Sequence, residues 1–202
     1  MRVRSTTVVA LVVMARVALS AAQEGPFGFE RGMTKAQVER RVGPATPTSA
    51  SDAWTFTTAP KPNPHFDFYV LFFSPTQGLL KVVGSGKDIE TEDTGSALQS
   101  EFDVIVAGVK QTFGAPEHLF NFCNEDTMDC SDDTAWMLGL KEKNRTLSAY
   151  WNKRSAPVRS VTMIDLEAKA LGPHKGWCVL GYEFEGWNAY LDMLKANESK
   201  SF

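Results

Sequence analysis

Between Ser96 and Phe113 the large apolar residues Leu98, Phe102, Ile105, Val109 and Phe113 recur at steps of four, three, four and four. That spacing places them on one face of a 3.6-residue helix. Ser96 followed by Gln99 has the form of a capping box, and Gly114 with Pro116 forms a stop. A shorter helix is predicted after Thr34, where Gln37 completes a second capping box. Val38 and Val42 give that helix a narrow apolar face, and Gly43-Pro44 ends it.

Between these helices the period changes to two. Residues 54–57 alternate apolar and polar, then Pro60, Pro62 and Pro64 make a stiff extended link. Phe66–Ser74 reads as a strand with two apolar faces: Phe66, Phe68, Val70 and Phe72 on one, Tyr69, Leu71 and Phe73 with Asp67 on the other. A turn at 75–78 returns the chain through 79–83, and Gly84-Ser85-Gly86 is expected to end or bulge that strand. Further on, 134–141 and 146–152 read as a hairpin about a turn at 142–145. Residues 159–170 and 176–184 read as a second hairpin. Trp187, Tyr190, Leu191 and Leu194 give a final helical stripe.

The order is α-β-β-β over 23–95 and α-β-β-β-β-α over 96–202. It predicts an α+β protein of two repeated helix-plus-antiparallel-sheet units, with the helices packed on one side of the sheets, in one globular body.

Residues 1–22 stand outside this pattern. Arg2 and Arg4 precede an apolar run at 8–13, and Ser20-Ala21-Ala22 offers small residues for cleavage, so a secretory signal peptide is expected. Export implies the bacterial periplasm or the extracellular space. Arg16 interrupts the apolar run, so no membrane span is expected. No Cys near the cleavage point offers a lipid anchor. The chain carries a formal charge of −3, and losing Arg2, Arg4 and Arg16 makes it more acidic still, which disfavours nucleic acid. In an oxidising compartment Cys123 and Cys130 are expected to form a disulfide around a short acidic loop. Cys178 then remains as a buried thiol beside Leu180 and Tyr182.

The segment GMTKAQVERRVGPA, with Gly32, Met33, Thr34, Gln37, Val38 and Gly43, resembles a pattern of the small outer-membrane assembly lipoproteins and of the related β-lactamase-inhibitor-protein-like fold group. The resemblance implies helices on a short antiparallel sheet, action by protein–protein contact and no catalytic residues. Those lipoproteins carry a lipidated N-terminal Cys, and no Cys stands at the corresponding place here.

Chemical motifs are sparse. Gly84-Ser85-Gly86-Lys87 lacks the spacing of a phosphate loop, and no G-x-S-x-G elbow occurs. His65, His118 and His174 stand singly and read as exposed loop residues, so no metal site or cofactor is expected. The acidic residues of 124–133 lack the spacing of an EF-hand. Asp88, Glu90, Glu92 and Asp93 read as complementing the dipole of the central helix.

The expectation is therefore a non-enzymatic binding module with a protein partner. Its candidate surface is an outer sheet face of Tyr69, Phe73, Met137, Tyr150, Met163 and Trp177, a composition suited to partner docking. The alternative for those residues is burial between packed sheets. The alternative function is a small-ligand or lipid carrier with an apolar pocket between sheet and helices.

Overall fold

Thr34 opens the first helix as its spacing predicts. Its hydroxyl accepts from Gln37 N–H, and the Gln37 side chain accepts from Thr34 N–H at 2.7 Å. The computed structural model describes residues 25–199; the expected signal peptide at 1–22 lies outside the described residues. Helix α1 (Lys35–Val42) leads into strands β1 (Thr46–Pro47), β2 (Ala53–Phe56), β3 (Phe66–Ser74), β4 (Gly78–Gly86) and β5 (Ile89–Glu90). Helix α2 (Ser96–Phe113), strand β6 (His118–Cys123) and helix α3 (Trp136–Lys141) follow. Strands β7 (Arg145–Asn152), β8 (Val161–Gly172) and β9 (Lys175–Phe184) precede helix α4 (Trp187–Ser199).

The strands form one nine-stranded antiparallel sheet, ordered β1-β2-β3-β4-β9-β8-β7-β6, with β5 paired to β9. The fold is α+β. Each half of the chain contributes a meander, and the last strands of the two, β4 and β9, pair with each other. The two-unit order expected from the sequence is modified in both halves: β1 is only two residues long, and α3 interrupts the second meander.

The main core lies between one sheet face and helices α1, α2 and α3. All five stripe residues of α2 are buried there, with Val38 of α1 and Trp136, Met137 and Leu140 of α3. Against the expectation that all helices pack on one side, helix α4 sits on the other face, where Trp187 and Tyr190 pack with Leu80 and Phe72.

Four further expectations need correction. Residues 134–141 are helical, not a strand: Asp132 caps a 3-10 turn that runs into α3, and Trp136, Met137 and Leu140 share a helical face. The strand beside β7 is β6, so no hairpin turns at 142–145. The Ser96–Gln99 box does not form. The chain enters α2 through left-handed Gly95 (φ 68°), and Gln99 instead donates to Thr94 O at 2.8 Å. A Cβ at Gly95 would stand 2.3 Å from the Trp136 ring, so α3 leaves room only for glycine. Lastly, β4 continues through Gly86, whose closeness to the Cys178 carbonyl excludes a side chain.

The faces of β3 also differ from the simple alternation. A register shift between Phe66 and Phe68 puts Phe66 on the same side as Tyr69 and Leu71, which are buried in the core. Phe68, Val70 and Phe72 face away from α2.

The candidate binding face

Residues directly opposite in an antiparallel ladder share a face. The registers therefore trace the sheet side not covered by α1–α3. One row across it is Val70, Val83, Gly181, Asp165, Tyr150 and His118. The next is Phe68, Ser85, Val179, Glu167, Ser148 and Phe120, and below the first run Phe72, Lys81, Glu183 and Met163. Trp177 stands on the same face beside Lys169, and Phe122 beside Thr146. Among the described residues α4 alone packs on this side, over the corner near Phe72.

The centre of the face is charged and self-paired. Lys81 Nζ lies 3.2 Å from Glu183 and 3.7 Å from Asp165, and 5.5 Å from the centre of the Trp187 ring. Asp165 lies over Gly181, where a Cβ would meet its carboxylate at 2.4 Å. A second pair joins Lys169 and Glu167. Around this centre the surface is apolar. Phe68 is 38% exposed, and Phe120 meets Tyr150 edge-on at 5.9 Å and stacks with His118 at 5.8 Å.

Of the residues expected on this surface, Tyr150, Met163 and Trp177 are on it and half-buried. Tyr69 is not: it is 1% exposed in the core, and its hydroxyl accepts from Asn63 N–H at 3.0 Å. Met137 is fully buried in α3. Phe73 is half-buried and packs against the main core. Sequence reasoning missed Phe68, Phe120 and Phe122. The β6 residues were hidden because His118–Cys123 follows a Pro-containing turn and does not alternate cleanly.

Cys123 and Cys130 are joined as expected, with Cα atoms 6.0 Å apart. The loop between and after them satisfies its own backbone: Asp129 accepts from Ser131, and Asp132 from Thr134. No cluster of metal-ligating side chains occurs among the described residues. Three of the four acidic residues in the lead-in to α2 reach the β8–β9 turn. Lys175 pairs with Glu90 at 2.9 Å and Asp88 at 3.5 Å, and His174 with Asp93 at 3.2 Å. Hydrogen bonding to Glu90 raises the Lys175 pKa above its ordinary value.

His174 is exposed in the β8–β9 turn, as the loop reading expects, whereas the other two histidines differ from it in exposure or in location. His65 is half-buried, with Nδ1 2.7 Å from Glu101, and His118 is in β6. Cys178 is fully buried, and burial, reinforced by the Glu101 carboxylate, pushes its thiol up to about 12. A cysteine nucleophile needs the opposite shift.

Beside the C-terminal half of α2 an open cleft of about 470 Å³ is lined by Phe66, Ile105, Val109, Phe113, Leu180 and Tyr182. Tyr182 is 6% exposed between Phe27 and Phe113, burial raises its pKa, and its hydroxyl makes no hydrogen bond among the described residues. No helix among the described residues is long and apolar enough to cross a membrane.

No family model, curated protein or solved structure matches the chain.

Proposed function

We propose that the protein is a non-enzymatic binding module of the bacterial periplasm or exterior, which docks a protein partner on the open face of its sheet. The observation that carries this reading is the asymmetry of the sheet. One face packs against three helices, while the other presents Phe68, Tyr150, Trp177, Phe120 and Phe122 with only a corner covered by the described residues. Aromatic residues and Met around paired charges match the composition of docking surfaces. The resemblance of the Gly32–Gly43 segment to envelope assembly lipoproteins and inhibitor-like folds points the same way.

The test is capture from envelope extract by the wild-type protein and by a Tyr150→Ala/Met163→Ala/Trp177→Ala variant whose circular dichroism and melting are intact. A defined protein held by the wild type and lost by the variant is expected. Equal capture by both would remove the open face from the proposal.

A second reading is favoured by one observation, the Tyr182 hydroxyl at the α2 cleft, which makes no hydrogen bond among the described residues. An apolar ligand with one hydrogen-bond acceptor would satisfy that hydroxyl. Saturable binding of a fluorescent fatty acid, weakened by Tyr182→Phe, would support this reading; a flat titration would end it.

A further inference from the structure

Strand β6 closes one end of the sheet and, among the described residues, pairs only with β7. Its first five residues, His118 to Phe122, are all exposed, including Leu119 at 60%, Phe120 at 45% and Phe122 at 56%. Edge strands are ordinarily guarded by lysine, proline, a bulge or a covering element. This one has no lysine or proline, and its register with β7 is unbroken. Asn124 N–H donates to Asn144 O at 2.8 Å, continuing the ladder beyond the strand. Counting back by twos, Phe122, Phe120 and His118 turn their backbone groups to β7. Leu119 and Asn121 turn theirs outward, to no partner within the sheet.

We propose that β6 pairs antiparallel with β6 of a second copy of this chain, about a two-fold axis through Phe120. This inference does not depend on the function proposed for the open face.

Two features select a second copy. The first is self-complementarity, which a two-fold interface requires. Centred on Phe120, the pairing sets Leu119 opposite the partner's Asn121 in hydrogen-bonded register. Phe120 then faces the partner's Phe120, and His118 the partner's Phe122, in aromatic cross-strand pairs on one side of the sheet.

The second feature is charge. The loop beyond the C-terminal end of β6 exposes Glu125, Asp126 and Asp129, whereas Lys153 and Arg154 follow β7 beside its N-terminal end. Lys153 already pairs with Glu117 at 3.1 Å, and Arg154 is exposed. Antiparallel pairing brings the acidic loop of each copy alongside the basic end of the other. The opposite end of the sheet lacks such an edge, because β1 is two residues long and contains Pro47. The two open faces would join in one sheet, with Phe120, Phe122 and Tyr150 of both copies at its middle.

The test is sedimentation equilibrium of the purified protein with amide hydrogen exchange over a rising concentration series. A dimer is expected, with the amides of Leu119 and Asn121 slowing as it forms. A Phe120→Lys variant should sediment as a monomer, because the two lysines would oppose each other on the axis. A wild-type monomer at high micromolar concentration would overturn the proposal. So would a dimer whose Leu119 and Asn121 amides exchange as fast as in dilute solution. Slow exchange in a species that sediments as a monomer would give the edge to a segment of the same chain, and slowing only on addition of another protein's strand would give it to a foreign partner; either contradicts the pairing of two copies. The exchange measurement uses the wild type, so it stands even if Phe120→Lys fails to fold.

Discussion

Phe120 of β6 meets Tyr150 of β7 edge-on at 5.9 Å, on the sheet face that α1, α2 and α3 leave uncovered. Such a pair contributes about 0.5–1.5 kcal/mol beyond its buried area. It also holds an apolar surface in a fixed shape without burying it, so substitutions here separate binding from folding. Tyr150→Ala should lower partner capture while moving the melting temperature by no more than a few degrees. Chemical denaturation beside a binding assay checks both halves of that expectation.

Tyr69 should behave in the reverse way. It is buried beside Phe27 and Phe66, and its hydroxyl accepts from Asn63 N–H. Tyr69→Phe should cost roughly 1 kcal/mol through the lost hydrogen bond. Tyr69→Ala should cost about 3–5 kcal/mol, as large core truncations do. Urea unfolding measures both. A Tyr69→Ala protein as stable as the wild type would place the ring outside the core.

The two helix starts make a paired prediction. Thr34→Ala removes a formed capping box and should destabilise by about 0.5–2 kcal/mol. Ser96→Ala removes no cap and should stay within about 0.5 kcal/mol of the wild type. Equal losses from the two substitutions would contradict the observed entry of α2 through Gly95.

Cysteine reactivity should split two to one. Reducing the Cys123–Cys130 bridge should lower stability by about 2–3 kcal/mol, the entropy of closing a short loop. Iodoacetamide at mildly alkaline pH should then label those two thiols in the native protein. Cys178, buried and pushed up to about 12, should react only after unfolding. Mass spectrometry before and after denaturant reads the difference.

Acid stability should depend on Glu39. The hydrogen bond from Lys35, then that from Ala45 N–H, holds its carboxyl below the ordinary value of 4.5. The unfolded chain therefore takes up the proton first as pH falls. The contribution is complete above the unfolded value and is lost as pH drops through the folded one. Melting curves between neutral and acid pH should show a shallower acid decline for Glu39→Gln than for the wild type.

Much of the architecture was legible where one physical signal acted alone. The stripe from Leu98 to Phe113 has a single apolar face, and the box at Thr34 and Gln37 satisfies itself locally. Legibility failed where two signals competed. Phe66–Ser74 is apolar on both faces, so alternation could not say which side meets the helices, and the bulge after Phe66 breaks the period of two. The short apolar run around Trp136 and Met137 fits a strand or a helix equally, and tertiary packing over Gly95 decides for the helix. Of the open sheet face, the positions of Tyr150, Met163 and Trp177 were legible in the sequence. Those of Phe120 and Phe122 were not, because the sequence pattern pairs 146–152 with 134–141 and leaves β6 without a partner.

The most direct test of the open face places a photo-crosslinking amino acid at one position at a time in otherwise wild-type protein, in cells of the source organism. Positions 68, 150 and 177 report on the open face, and position 104, exposed on α2, reports on the helical side. The account predicts the same protein adduct from 68, 150 and 177 and none from 104. An adduct from 104 alone, or from all four positions equally, would contradict it.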